Sequence, residues 1–510
     1  MTFSLTTRTD SVLKQRISAQ VPWIATSRGP ILSSVLLGLM GFLISWTASW
    51  VPSPWLDEAA TAHIVSYPLG DMERLWRSTD AVYAPYYILM HFWTKFAGMS
   101  PFSLRLPSLI AVGVGTAAMA AAGRMLGGER AQLLYALCFA LMPRTTAMGI
   151  EGRPYAISSM FMALALLAIV KLRFNPSMPY WPLLGVSMIG AVEAQFFSVL
   201  PICGLIVTAG ALFSKRSRLT LAAISALSAL TCLPLAFTAV SQRNQVSWIG
   251  DGDYSIPDQA LVEAWFTSRW SLNPADNNDQ IHYLAIALSV VAGLTVVIAL
   301  ALGRDLPKSR LALAAIPPVI AVSVLWGASL LDSPVLLGRY LTSSTPFVAM
   351  LLAECLMLLN SRTKQVVSLL LSVGCLLLIV AQKQPYAKIP SNDYGFIALT
   401  LSSKAGNGDG LLIEPGLGPV DSARNALDLY PENFTRLVDL ARPQREPLTF
   451  VFAADPPVMD ITGRVLPGRV WLVTKNSQHS HYADQLTKSG YSKDSASSGP
   501  GHTVSAWLKN

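Results

Sequence analysis

Two adjacent carboxylates, Asp57 and Glu58, come within a few residues of the end of the first long apolar run of the chain. That run, GPILSSVLLGLMGFLISWTASWV, is long enough to cross a bilayer, because about 20 apolar residues span roughly 30 Å of hydrocarbon. A carboxylate at the membrane surface can act as a general base and take a proton from a hydroxyl group there. The simpler interpretation is an acid that is exposed to water just past a helix end. The other polar segments of the sequence help to distinguish a catalytic base from such an exposed acid.

Three further breaks between apolar runs carry residues of the same chemical kind. Carboxylates supply general bases, and guanidinium groups pair with phosphate oxygens. This combination fits a reaction on a lipid-linked phosphate, although Glu151 and Arg153 can also form a local salt bridge and Arg339 can simply anchor a helix. The residues are Glu151 and Arg153 in MGIEGRPYA, Arg243 and Trp248 in QRNQVSWI, and Arg339 and Tyr340 in SPVLLGRYL.

The composition is that of an integral membrane protein. Hydrophobic residues make up 52% and charged residues 13% of the 510 residues, and the mean hydropathy is +0.44, whereas soluble domains have roughly 25% charged residues. The net charge of +8 does not indicate nucleic acid as a partner, because the basic residues form short clusters between apolar runs. The five cysteines lie in apolar segments without the spacing of zinc ligands, so we expect small core residues.

The apolar runs predict about eleven transmembrane helices and therefore an α-helical polytopic membrane protein. No A-x-A site follows the first run, so we expect an uncleaved helix there. The predicted spans are at about 29–50, 104–125, 130–148, 155–173, 180–193, 195–213, 218–240, 282–303, 309–331, 340–360 and 365–381.

Charge in the connections predicts the orientation and the domains. Basic residues cluster in alternate connections, which predicts a cytoplasmic segment 1–28 before the transmembrane domain 29–381. The long loops 51–103 and 241–282 belong to the opposite, acidic set and are expected outside. With an odd number of spans the region 382–510 is also outside, and its alternating helix-like and strand-like runs predict a small extracytoplasmic α/β domain.

Several motifs in order resemble the GT-C superfamily of multispan glycosyltransferases. They are WLDEA, AVYAPYYILMHFW, SPFSLRLPS, IEGRPYA and GRYL. The resemblance covers roughly residues 30 to 360 and is to the branch of protein O-mannosyltransferases and lipid A aminoarabinose transferases. The QVSWI stretch and the outer C-terminal domain favour the related actinobacterial mannosyltransferases of cell-wall lipoglycans. In such enzymes the donor is a sugar on a polyprenyl monophosphate, and a carboxylate in the first outer loop is the base.

The resemblance implies a role for each candidate residue. Asp57 would be the base. Glu58 would be the second catalytic carboxylate, or a structural neighbour that pairs with an arginine. The residues expected to bind the donor phosphate are Arg153, Arg339 and Arg243. The residues expected to contact substrate are Glu151, Asp80, Tyr86, Tyr340, Trp248 and Gln195, the last in EAQFFS where the family often has a histidine.

The expected function is inverting transfer of a sugar, mannose by resemblance, from a polyprenyl-phosphate donor to a hydroxyl of a glycan or glycolipid outside the cell membrane. We expect no obligatory metal, because arginines can stabilise a monophosphate leaving group. Glu58 or Asp80 would hold a divalent ion of the kind that some relatives use. One alternative is an arabinosyl- or aminoarabinosyltransferase of the same fold. Another is a transporter or flippase for a lipid-linked sugar, but transporters typically contain internal repeats and the sequence shows no clear one.

Overall fold

The structure is a computed structural model of the 510-residue chain. The predicted cytoplasmic segment 1–28 lies outside the described residues, apart from the backbone of Arg28. The described ranges are 28–176, 179–251, 255–270, 278–303, 306–331, 335–416, 422–441, 448–453, 455–476 and 478–510.

Helices form nearly all of the described chain up to residue 382. They are α1 (Arg28–Trp46), α2 (Leu56–Val65), α3 (Leu69–Trp76), α4 (Ala84–Ala97), α5 (Pro101–Ala140), α6 (Pro143–Gly149), α7 (Tyr155–Phe174), α8 (Tyr180–Ala194), α9 (Val199–Leu212), α10 (Lys215–Thr231), α11 (Leu233–Ser241), α12 (Asp279–Leu302), α13 (Lys308–Leu330), α14 (Thr345–Leu358) and α15 (Ser361–Gln382). Short 3-10 helices lie at Ala81–Tyr83, Phe196–Ser198, Arg243–Asp251 and Gly338–Ser344.

All eleven predicted spans are helical, but their lengths differ from the prediction. Within the described residues, seven helical segments are long and apolar enough to cross a membrane, or eight if α10 and α11, which meet at a 49° bend, form one span. The second and third predicted spans are joined in α5, which bends at Gly127 and Gly128. Helices α8 and α9 have only 15 and 14 residues, because the chain breaks at Gln195. The predicted fold class is confirmed.

Close approach of α1 to α5 depends on small residues. A Cβ atom on Gly38 would lie 2.8 Å from the carbonyl oxygen of Gly113, and one on Gly41 would lie 2.3 Å from the hydroxyl oxygen of Thr116. Small residues let transmembrane helices approach through their backbones. This packing holds α1, which leads into the loop carrying Asp57, against α5.

The region after α15 forms the predicted small α/β domain. Its described residues contain a five-stranded sheet in the order β2-β1-β3-β5-β4, in which β1 is parallel to β2 and β3 and the remaining pairs are antiparallel. Residues 448–453, where LTFVFAA predicts a strand, form none. The elements are α16 (Tyr394–Lys404), β1 (Gly410–Ile413), α17 (Asn425–Leu429), β2 (Val438–Asp439), β3 (Arg469–Lys475), α18 (His481–Lys488), β4 (Tyr491–Ser498) and β5 (His502–Lys509).

The short helix α2 packs between the transmembrane helices and the C-terminal domain. The Nδ1 atom of His63 lies 2.6 Å from the Oδ2 atom of Asp428 on α17. Ile64 of α2 belongs to the same buried apolar cluster as Tyr394 and Ile397 of α16. Because α2 carries Asp57, the C-terminal domain helps to fix the position of that carboxylate.

Candidate active site

A cavity of about 1120 Å³ lies where helix ends and loops of the transmembrane region meet the C-terminal domain. Loops distant in sequence contribute to its wall, and Phe450 and Phe452 from the segment predicted as a strand line it too. The aromatic side chains of this segment therefore form part of the cavity wall, and the segment does not join the sheet. The sequence-predicted residues that line the cavity are Asp57, Asp80, Glu151, Arg153, Gln195, Arg243, Arg339 and Tyr340.

Asp57 lies between two guanidinium groups at the cavity. Its Oδ2 atom is 3.3 Å from the Nη1 atom of Arg339 and 3.9 Å from the Nε atom of Arg153. The Asp57 side chain is 21% exposed and that of Arg153 only 6%. The carboxylate thus remains accessible from the cavity while both cations stay within a few ångströms of it.

Aromatic rings orient the two arginines. The guanidinium carbon of Arg153 is 4.2 Å from the ring centre of Tyr83. That of Arg339 is 5.4 Å from the ring centre of Trp55 and 5.8 Å from that of Tyr340. A ring face holds a guanidinium group without adding a negative charge. Both arginines therefore retain positive charge for an anionic ligand.

Glu151 is a second carboxyl group on the cavity. The indole Nε1 of Trp55 donates a 3.1 Å hydrogen bond to its Oε1 atom. Burial raises the pKa of Glu151 to about 7; the positive charge of Lys388 opposes this rise, whereas the negative charges of Asp57 and Glu58 add to it. Glu151 therefore changes its charge close to neutral pH.

Glu58 lies outside the cavity wall and is fully buried. Its Oε1 atom accepts 2.7 Å and 3.1 Å bonds from Arg105 Nε and Gly152 N, and its Oε2 atom accepts 3.0 Å and 2.5 Å bonds from Arg105 Nη2 and Lys388 Nζ. Burial alone would raise the pKa of Glu58, but the charges of Arg105 and Lys388 outweigh it and hold the pKa at about 2. These contacts fit a positioning role for Glu58, and its catalytic role stays a prediction.

The other predicted residues have different surroundings. Gln195 donates a 3.1 Å bond to the Arg339 carbonyl and accepts a 2.9 Å bond from Thr342, so it supports the backbone of the GRYL segment. Tyr86 is buried beside Tyr87 and does not line the cavity. The side chain of Trp248 lies outside the described part of the structure.

The carboxylates predicted for a divalent ion already have other partners. Both Glu58 oxygens bind cationic side chains, and one Asp80 oxygen accepts a bond from a tyrosine hydroxyl. In the described chain, Asp258, Glu263 and His282 have ligand-type atoms within 4.8 Å of one another. Glu263, however, already accepts bonds from a serine hydroxyl and two backbone amides. We assign no step to a metal, and the prediction that none is obligatory stays a prediction.

Three cationic residues of this region escaped the sequence analysis. Arg144 lines the cavity and donates to the backbone carbonyls of residues 263 and 264. Arg105 and Lys388 hold Glu58. All three lie near ends of apolar segments that the sequence predicts to be extracytoplasmic, where the positive-inside rule disfavours basic residues. That exception to the rule is the signal that can reveal them.

The comparisons with known proteins agree with this fold. The family model described as dolichyl-phosphate-mannose-protein mannosyltransferase matches residues 84–241, which is less than half of the chain. No curated protein matches the sequence. The crystal structure of ArnT from Cupriavidus metallidurans bound to undecaprenyl phosphate has a TM-score of 0.52 and 12% identity, covering 92% of this chain and 97% of that one. The apo structure of the same protein gives a TM-score of 0.51, with the same identity and coverage.

These matches define the class of protein. The chain has the GT-C fold, and the matched family model and the fold together indicate a glycosyltransferase in a multi-pass membrane protein. The assignment to the actinobacterial mannosyltransferases stays a prediction.

Proposed function

We propose that the protein is an inverting glycosyltransferase that moves a sugar from a polyprenyl-monophosphate carrier to a hydroxyl group of a glycan or glycolipid. The observation that carries this proposal is the Asp57 carboxylate held 3.3 Å from Arg339 and 3.9 Å from Arg153 on one cavity. A base and a pair of phosphate-binding groups are the parts that such a transfer needs. The undecaprenyl phosphate bound to the structurally similar ArnT supports a lipid-linked donor.

The transfer moves one negative charge across the site. Asp57 takes the proton of the acceptor hydroxyl while its oxygen bonds to the anomeric carbon, and the bond from that carbon to the phosphate oxygen breaks with its electron pair on the phosphate. Asp57 becomes neutral as the phosphate gains a charge. Arg153 and Arg339, already oriented by aromatic rings, stabilise the charge at its new position without a large reorganisation. Attack from the face opposite the leaving phosphate inverts the anomeric configuration.

We further propose that the sugar is mannose and that the cavity opens to the extracytoplasmic side. The description of the matched family supports mannose. The clustering of basic residues in the opposite connections supports the orientation.

One vesicle assay tests both points. Right-side-out membrane vesicles are given short-chain, membrane-impermeant prenyl-phosphate donors of radiolabelled mannose, arabinose or aminoarabinose. We expect transfer from the mannose donor in these vesicles and none in sealed inverted ones. Transfer from the arabinose donor alone would refute mannose, and activity confined to inverted vesicles would refute the orientation. Vesicles carrying Asp57→Asn are the background control.

Glu151 is expected to make donor binding depend on pH. The donor is a phosphodiester whose charge is constant near neutral pH, whereas Glu151 ionises as the pH rises through about 7. The added negative charge lies on the same cavity, so donor affinity should fall on the order of tenfold between about pH 6 and pH 8. Glu151→Gln should remove most of this fall. Equal pH profiles for the two proteins in a direct binding titration would show that another group titrates.

A further inference from the structure

We propose that a hydrogen-bonded relay positions Arg153, and that it consists of Gln242, Gln245, Asp80 and Tyr87. Through this relay the loop 241–282 controls how tightly the cavity binds phosphate. This inference rests on the proposed function, because it assigns the Arg153 guanidinium to the donor phosphate. The relay joins two loops that are about 160 residues apart in sequence.

The first part of the relay is a clamp of two glutamines. Gln242 and Gln245 line the cavity and bind the backbone of residues 76–81. Each amide oxygen accepts a backbone N–H, at 3.0 Å and 2.9 Å, and each amide nitrogen donates to a backbone carbonyl, at 2.9 Å and 2.8 Å. Both glutamines thus use a donor and an acceptor on the same short segment, which fixes that segment in one position.

The clamp holds Asp80 in an unfavourable backbone conformation. Its φ angle is +59°, in the left-handed region that residues with a Cβ atom seldom adopt. Such a conformation persists only where surrounding contacts hold it. The 2.9 Å bond from the Asp80 N–H to Gln245 is one of these contacts. The two glutamines therefore also determine where the Asp80 carboxylate points.

The second part of the relay runs from Asp80 to Arg153. The Tyr87 hydroxyl lies 2.5 Å from the Oδ2 atom of Asp80 and 3.0 Å from the Nη1 atom of Arg153. A guanidinium group can only donate and a carboxylate only accept, so the hydroxyl must accept from Arg153 and donate to Asp80. The Tyr83 ring lies against the guanidinium group, and Asp57 lies 3.9 Å from its Nε atom. Tyr87, fully buried, therefore fixes the end of the guanidinium group that Asp57 does not contact.

A positioning role and a merely structural role predict different results for combined substitutions. If Tyr87 acts through Arg153, its hydroxyl contributes nothing once the guanidinium group is gone. If Tyr87 only stabilises the fold, the losses in the single variants should add. A double-mutant cycle on phosphate binding distinguishes the two.

The experiment measures binding of undecaprenyl phosphate to the purified full-length protein in detergent. Tyr87→Phe should weaken binding on the order of tenfold, because it removes a hydrogen bond to a charged group. Arg153→Ala should weaken binding more, and the double variant should bind no worse than Arg153→Ala alone. Additive losses would overturn the relay. The control variant is Tyr491→Phe, which removes the hydrogen bond that the Tyr491 hydroxyl donates to the Pro467 carbonyl in the C-terminal domain. It should bind undecaprenyl phosphate as tightly as the parent protein.

Further variants keep the test decisive. If Tyr87→Phe does not fold, the double substitution Gln242→Ala with Gln245→Ala takes its place. Added to Arg153→Ala, it should not weaken the binding of undecaprenyl phosphate further. Asp80→Asn retains an acceptor oxygen for Tyr87 and should bind better than Asp80→Ala; equal binding would contradict the relay. If the parent protein itself does not bind undecaprenyl phosphate, the proposed function fails, an outcome distinct from additive losses.

Discussion

Asp57→Asn is expected to lower the rate of sugar transfer by about 10² to 10⁴, the usual cost of losing a general base. An amide has nearly the same shape as a carboxylate but cannot take the acceptor's proton. Affinity for undecaprenyl phosphate should not fall, because Arg153 and Arg339 then have no carboxylate to compete with phosphate. Single-turnover rates, binding titrations and thermal unfolding of the same preparation measure the three quantities.

The control for this prediction is Asp71→Asn. Asp71 forms an ion pair on α3 with Arg74, whose side chain is 75% exposed, and it does not line the cavity. This substitution should leave both rate and stability unchanged. If Asp57→Asn turns over at the parental rate with parental affinity and stability, Asp57 is not the base.

Glu58→Gln is expected to lower the free energy of unfolding by about 3 to 5 kcal/mol, because it leaves the buried charges of Arg105 and Lys388 without their counter-charge. Adding Lys388→Met should restore part of this loss, since it removes one of the two unpaired cations. Denaturant unfolding in detergent, followed by tryptophan fluorescence, measures the change.

The matched control is Glu73→Gln, which removes the same charge from an exposed pair with Arg77. It should have no measurable effect, because exposed pairs contribute little. If Glu58→Gln keeps the parental stability and loses turnover, Glu58 takes part in the chemistry, as the sequence predicts, and its positioning role is wrong.

The transmembrane fold was predictable because it depends on local properties. Length and hydropathy define a span wherever about 20 apolar residues follow one another. The sequence also predicts a break at residues 126–129, between the second and third spans, and the non-helical backbone angles of Gly127 and Gly128 within α5 lie at this break. The predicted boundary at residues 193–195 likewise lies at the break between α8 and α9. The short length of α9 was not predicted, because hydropathy does not show that residues 196–198 form a 3-10 turn.

The candidate site was predictable as a set of residues but not as a set of contacts. Topology and the motif resemblance place Asp57, Arg153 and Arg339 on one face. Adjacent residues of a helix point about 100° apart, so Asp57 and Glu58 point in different directions, and helix geometry does not say which of them faces the cavity. The answer depends on Lys388, which lies 330 residues away and is brought to Glu58 only by the complete fold.

The contacts of α2 with the C-terminal region also determine when the site can assemble during synthesis. The partners of Glu58 and His63 in that region, Lys388 and Asp428, are made 330 and 365 residues later. At about 5 to 20 residues per second, the ribosome needs roughly 15 to 65 seconds to supply Lys388. During that interval the nascent chain can have its first spans in the membrane while the helix bearing Asp57 still lacks two of its anchors. A product that terminates before Lys388 therefore lacks two of the contacts that hold the helix bearing Asp57.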